Sequence, residues 1–437
     1  MAVRADQSIL DAACADDGRV NGYDGIGGRG SLKCISLEYG ADEPLLLEAG
    51  AGAAVAERRG PEGVRGDHAR RAVAAAVAAP ADGPPLAEHV VAGDRVTIAV
   101  SGGVPQVDAV IAAVVDAVQG AGVLSEDVSV VRAPPLECSA GGGPLPPLGV
   151  PPGVAVATEF DPAVDAQTAY IAADAADRPI HVARQLVDAD VVVAVGAWTW
   201  DAALGGRSLD GELWPAFSRQ SCRRSLLQSL ASRGRRGMRS WRRSVREATW
   251  QLGLCANLRI VPGRSGSLHA AAFGMPPAAA RVARGLAAGW RPHVSGPAAV
   301  TIASLSNPRG GPPALLRAVA AAARVTHPAG TICVASRIDT PPGVVFARWR
   351  EGAPLRPLVC EAVGTGDPVL IADACLARFF ARALGERRLV LLSDLDEATV
   401  EGLEFGHAAT PEVVERLAHR AESVAVLDEA DRMLPAR

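Results

Sequence analysis

The sequence predicts an α/β fold of two lobes, each a mostly parallel sheet flanked by helices, with a cleft between them. Short β-branched apolar runs, such as Arg95–Val100 (RVTIAV) and Val191–Val195 (VVVAV), have the pattern of strands buried on both faces. These runs alternate with segments whose apolar residues recur at helical spacing, which is the βαβ pattern of a parallel sheet. The Pro/Gly-rich stretch Arg291–Pro297 then divides the series in two.

Taken in order, residues 1–35 are polar, acidic and Gly-rich and read as a loose leader. Ser36–Glu48 reads as a strand pair around Tyr39–Asp42, and His68–Ala79 as a helix. Arg95–Val100 is a strand broken by Ser101-Gly102-Gly103-Val104-Pro105. Val107–Gly120 follows as a helix and Val128–Val131 as the next strand. Arg178–Val187 leads through Asp188-Ala189-Asp190 into the strand at Val191. The second lobe repeats the alternation: strand Ala299–Ala303, helix Leu315–Val325, strand Thr331–Ala335. Helix Ala372–Leu384, strand Leu389–Leu392, helix Pro411–Arg420 and strand Ser423–Leu427 complete it. The lobes are therefore expected at 36–290 and 298–437, with the last strand free to return to the N-terminal lobe.

Half of the residues are apolar (49%), enough for a large core, which excludes a wholly disordered chain. The formal charge of −4 gives no global reason to expect nucleic acid or a membrane surface. Of the 44 basic residues, Lys33 alone is lysine, so any chemistry that needs a primary amine has one candidate. The eight cysteines contain no CxxC pair, which argues against a zinc ribbon or redox dithiol, and no stretch is long and apolar enough for a membrane helix. With no signal-peptide pattern at the N-terminus, a cytoplasmic setting is expected.

Several motifs carry less than their letters suggest. Gly25–Gly30 matches GxGxxG, but a polar leader precedes it where a dinucleotide site needs a strand. Val426–Leu434 (VLDEADRML) reads like the magnesium-binding motif of DEAD-box helicases. The chain has no Gly-Lys-Ser/Thr loop to hold phosphates, so the match reads as coincidence. The eight histidines show no HxxxH or HExxH spacing, and no local metal site is expected. Arg219–Trp250 carries ten arginines, read first as a solvated helix face and second as an anion or nucleic-acid patch.

In order, these segments resemble the nickel-dependent lactate racemase family (LarA-like proteins) over roughly residues 36–435. Ile98–Pro105 (IAVSGGVP) occupies the place of that family's strand and Asp-His-Thr-Arg-Pro motif. His181–Val193 (HVARQLVDADVVV) is similar to its segment before the next strand. Gly205-Gly206-Arg207 lies at its Gly-rich loop, the place implied for cofactor binding. Leu315–Ile332 is similar to its helix and Gly-Gly-Thr-Ile strand, and Leu389–Ser393 fits its late strand. The resemblance implies hydride transfer at C2 of a 2-hydroxy acid. The acceptor is a nickel pincer nucleotide tethered by lysine, with histidines as metal ligand and acid/base and with Arg and Lys holding the carboxylate.

This chain departs from that pattern at most of those places. Ser101 and Val104 replace the first motif's Asp and Arg, and Pro135-Leu136-Glu137 replaces a Gly-x-His. Asp201, beside Trp198 and Trp200, stands where a histidine is expected. The tether lysine falls near Gly211 and a further histidine near Leu227. Arg317 keeps a positive charge at the place of the substrate-binding lysine. The reading is therefore a lactate racemase-like protein whose nickel-pincer site is lost, acting as a pseudoenzyme or binding protein for a small anionic or hydroxyacid ligand. No cofactor is expected unless the family chemistry survives. Trp198 and Trp200 are expected to fill space that the family leaves for its cofactor. The alternative is an active 2-hydroxyacid racemase, epimerase or related enzyme, with Asp201, Glu137, Asp210 and Arg317 lining the cleft. For Asp201 a helix N-cap, and for Arg317 a plain helix surface, are the competing structural roles. A third reading is an unrelated α/β protein whose Arg-rich segment binds an anion.

Overall fold

The computed structural model describes residues 33–39, 44–49, 54–134, 147–175, 177–198, 213–292, 294, 296–307 and 310–434. Its elements are, in chain order, β1 (Lys33–Glu38), β2 (Pro44–Ala49), β3 (Ala54–Arg58), α1 (Gly66–Ala78), β4 (Val96–Val100), α2 (Val107–Gly120), β5 (Val128–Arg132) and β6 (Val156–Glu159). Next come β7 (Thr168–Ala173), β8 (Pro179–Ala183), α3 (Arg184–Val187), β9 (Val191–Ala197), α4 (Gln220–Arg233), α5 (Arg235–Gln251), β10 (Ala256–Pro262), β11 (Leu268–Gly274) and α6 (Pro276–Leu286). The second half holds β12 (Ala298–Ser304), α7 (Gly311–Ala322), β13 (Thr326–Ala335), α8 (Val344–Arg350), α9 (Leu355–Thr365), α10 (Pro368–Leu384), β14 (Arg388–Leu392), α11 (Glu397–Gly402), β15 (Gly406–His407), α12 (Pro411–Arg420) and β16 (Ser423–Leu427).

Two six-stranded sheets organise these elements. One has the order β11-β10-β9-β4-β5-β6, parallel except for β11; the other has the order β15-β14-β13-β12-β16-β3 and is parallel throughout. All five residues of β4 are buried, because helices cover both faces of its sheet, and burying each Val or Ile contributes about 1.5–3 kcal/mol. Both pairs β1–β2 and β7–β8 are antiparallel additions. Among the described residues no helix is long and apolar enough to cross a membrane. Cys333 and Cys375 lie in the core, where burial pushes both thiols up to about 12.

The chain does not fill its sheets in sequence order. β3 precedes the whole first sheet, yet it pairs with β16 at the edge of the second. β16, the last strand, lies inside the second sheet between β12 and β3 rather than returning to the first. Strand β3 (AVAER) is short and only half-buried, so its periodicity gives little warning of this role. The Arg-rich stretch forms two helices, α4 and α5, with Leu226, Leu227, Leu230, Met238, Trp241 and Val245 buried beneath them.

Trp290 ties the lobes together. Its indole Nε1 donates to Pro262 O at the end of β10 (2.6 Å), and its own carbonyl accepts from Leu434 N (2.7 Å). Its ring lies so close over Gly60 that a Cβ there would sit 2.1 Å from a ring carbon. Trp290→Ala is expected to cost about 3–5 kcal/mol in denaturant unfolding. Gly60→Ala should destabilise the parent markedly and the Trp290→Ala background far less, a coupling read by a double-mutant cycle.

Candidate functional site

In open parallel sheets ligands meet the carboxyl ends of strands where the strand order reverses. In the second sheet that reversal lies between β12 and β16: the chain proceeds from β12 outward through β13, β14 and β15, then comes back to β12's other side. β12 ends in Ser304, with Ser306 two residues on, and the apolar Val424–Leu427 of β16 gives way at once to Asp428-Glu429-Ala430-Asp431. The three carboxylates that follow β16 are buried, with exposures of 2%, 0% and 5%.

Each carboxylate is met by a specific partner. Ser304 Oγ donates to Asp428 Oδ1 (2.7 Å) and accepts from Glu429 N (3.0 Å). Asp428 also accepts from Glu38 N (3.1 Å) and faces Arg264 Nη2 (3.4 Å). Asp431 accepts from Ser306 N (2.6 Å) and Oγ (2.7 Å), and Arg317 Nη2 lies 4.0 Å away. Glu429 sits in the left-handed region (φ 53), which turns its side chain toward the first lobe. There it accepts from Ser265 N, with Arg432 Nε 3.5 Å from its other oxygen.

Ser265 belongs to the turn between β10 and β11, and it too has a positive φ (52). Its hydroxyl donates to the Glu38 carboxylate. The carbonyl of the next residue of that turn, Gly266, accepts from Gln106 Nε2 (3.0 Å), while Gln106 Oε1 accepts from Gly66 N (3.0 Å). Gln106 caps the loop after β4, the place where the first sheet reverses between β4 and β9. One hydrogen-bonded chain therefore joins the strand-end loops of both sheets.

Charge is unevenly supplied. Burial holds the Glu429 carboxyl protonated to about pH 7, and neighbouring Asp431 and Glu38 reinforce this against Arg432 and the Ser265 N–H. Arg264 is shared between Asp428 and Glu62, whose Oε1 lies 2.6 Å from its Nη1. Negative groups thus outnumber positive ones around this crevice, and each arginine already faces a carboxylate.

Of the residues expected from sequence, Arg317 is brought to this crevice, on α7, half-buried against Asp431. Asp201, Glu137, Asp210, Gly205, Gly206 and Trp200 lie outside the described residues. Trp198, at the end of β9, is buried (4%), with Arg284 over its ring at 5.7 Å. Ser101 closes β4 by donating its N–H (2.9 Å) and hydroxyl (3.3 Å) to Val195 O. Sequence reasoning missed Glu429, Ser265 and Arg264. The available signal was three carboxylates directly behind the apolar run Val424–Leu427. Among the described residues, one grouping has three potential metal ligands, Glu48, Glu415 and His419. It is on β2 and α12, toward the amino end of β16 and away from the crevice.

No protein-family model matches the chain, and no curated protein matches it at a significant level. Solved structures do. The lactate racemase apoprotein from Thermoanaerobacterium thermosaccharolyticum superposes with a TM-score of 0.71 at 15% identity, over 93% of this chain and 100% of that one. A structural-genomics crystal structure of a Thermotoga maritima protein superposes with a TM-score of 0.55 at 10% identity, over 80% and 96%. At such identities the likeness is one of fold: two lobes, each with a parallel-dominated sheet, arranged as in lactate racemase.

Glu429 gives the crevice a pH signature. The unfolded chain releases this proton near 4.5, whereas the folded chain holds it to about 7. Between those values the folded state binds the extra proton, so this group's contribution to stability falls as pH rises through the window and is flat above it. Urea midpoints measured across that window should fall less in Glu429→Gln than in the parent. Parallel curves would show that Glu429 titrates as an ordinary glutamate.

Proposed function

We propose that this chain is a lactate racemase-like protein that has given up the nickel-pincer racemase chemistry and serves as a pseudoenzyme or binding protein. The observation that carries this reading is the state of Arg317. The resemblance places it where the family holds the substrate carboxylate, yet here it faces the buried Asp431 in a crevice already rich in carboxylates. A ligand carboxylate would enter against that field and compete with Asp431 for the guanidinium.

The chain's other groups agree. The family's cofactor is tethered through lysine, and the one lysine here is Lys33, on the two-stranded β1–β2 addition. Arginine does not substitute, since its guanidinium stays protonated and offers no amine nucleophile. A hydride leaving C2 needs an acceptor that side chains do not provide. The residues present do not fit the nickel pincer nucleotide, since no lysine other than Lys33 is available to tether it.

A second reading, an isomerase with altered chemistry, is favoured by Glu429 alone. A carboxyl group whose proton is held to about pH 7 at the end of a strand has the acidity that proton transfer near neutrality needs. The two readings part in one experiment. Purified protein, supplied with the activated cofactor and with either lactate enantiomer, should keep the mass of its unmodified 44.9 kDa chain and leave the enantiomer unchanged. A covalent nickel–nucleotide adduct, or racemisation, would overturn the first reading. Activity on another 2-hydroxy acid that Glu429→Gln abolishes would establish the second.

A further inference from the structure

We propose that the outer face of α5 is a binding surface for single-stranded nucleic acid. Between Arg219 and Trp250 the sequence has ten arginines and one carboxylate, Glu247, which accepts from Ala175 N (3.2 Å). The structure sorts these arginines. Helix α5 buries Met238, Trp241, Val245 and Ala248 on one side. On the opposite side Arg236, Arg239, Arg243 and Arg246 are exposed in a single stripe. They recur every three or four residues, so successive guanidiniums are about 5 Å apart along the axis. The stripe ends in Trp250, which is 76% exposed. From Arg236 to Trp250 it runs roughly 21 Å.

Two cavities open along it. One, of about 600 Å³, has Arg233, Arg236, Arg378 and Arg382 in its wall, with Gly234 and Phe379. The Arg378 guanidinium is fixed there by donating to Ala231 O (2.6 Å) and Ser232 O (2.9 Å). The other, of about 290 Å³, is lined by Arg239 and Arg243 with Arg178, which is stacked over Trp241 (4.4 Å) and paired with Asp174 (2.7 Å). Among the described residues, Arg233, Arg236, Arg239, Arg243 and Arg382 have no carboxylate partner. Five unneutralised guanidiniums on a chain of net charge −4 form a local field that a polyanion relieves.

The geometry points to an extended ligand. A small phosphate compound would engage one cavity, whereas regularly stepped cations over this length match phosphates in series. A membrane surface fits poorly, because the apolar side of α5 is consumed by the core and cannot enter lipid. One exposed indole at the end of a cationic stripe suits a single strand, whose bases are free to stack on it.

The test is fluorescence anisotropy with a labelled single-stranded DNA long enough to span the stripe, titrated from low to physiological salt. The logarithm of the association constant should fall linearly with that of salt. Arg239→Ala with Arg243→Ala should reduce the slope by about 1.4, at about 0.7 per phosphate contact. Trp250→Ala should weaken binding about tenfold or more with little change of slope. Arg420→Ala, an exposed arginine on α12, should change neither. All of these positions are on the surface, and unchanged thermal melting would confirm that each variant folds. Absence of binding at low salt, or curves unmoved by the α5 variants, would overturn the proposal. So would equal affinity for a duplex, for inorganic tripolyphosphate or for phosphatidylserine vesicles.

Discussion

Three carboxylates within four residues, buried behind β16, set the terms for how this molecule closes. Taking a carboxylate out of water costs several kcal/mol unless hydrogen bonds and opposite charge replace the lost solvent. One strand end cannot supply that many partners. The replacement comes from well-separated parts of the chain: Ser304 and Ser306 at and beyond the end of β12, Glu38 N from β1, Arg317 from α7, and Arg264 with Ser265 from the first lobe. The lobes are thereby joined by the requirement to satisfy these groups, with Trp290 and Gly60 packing the seam beside them. Glu429 is the least compensated of the three, and the proton it retains is the residue of that deficit.

Much of the scaffold is legible in the sequence, since its strands carry an unmixed apolar signal. Val107–Gly120, Pro411–Arg420 and Ser423–Leu427 have the same limits by periodicity and in the structure. Elements that depend on distant partners were not legible. β3 is a strand because β16 offers it an edge, and its own residues, Ala-Val-Ala-Glu-Arg, carry no clear alternation. β10 and β11 contain arginine, asparagine and histidine among their apolar residues, which blurs the run although β10 is buried throughout. The crevice was legible in part. Arg317 was singled out through the resemblance and here faces Asp431, whereas the carboxylates after β16 spelled a familiar motif whose usual companions are absent. Their role is set by the serines opposite them, a relation that no local spacing records.

The chain's preference for arginine ties its two charged regions together. A guanidinium is permanently protonated and offers several donors in a plane, so it serves recognition and internal pairing, while amine chemistry is closed to it. In the crevice this yields pairing: Arg264, Arg317 and Arg432 each face a carboxylate. On α5 the same side chain, with almost no acid nearby, is left facing water.

The crevice's own energetics limit what Arg317 can do for a ligand. Drawing Arg317 away from Asp431 removes the nearby positive charge from a buried carboxylate and leaves it the two hydrogen bonds from Ser306. A monocarboxylate that drew Arg317 away from Asp431 would lose part of its gain by that exchange. Binding there is favoured when the ligand also brings a donor to Asp431, as the hydroxyl of a hydroxy acid does. A ligand entering between β12 and β16 would meet charges that favour a molecule offering a donor as well as an anion.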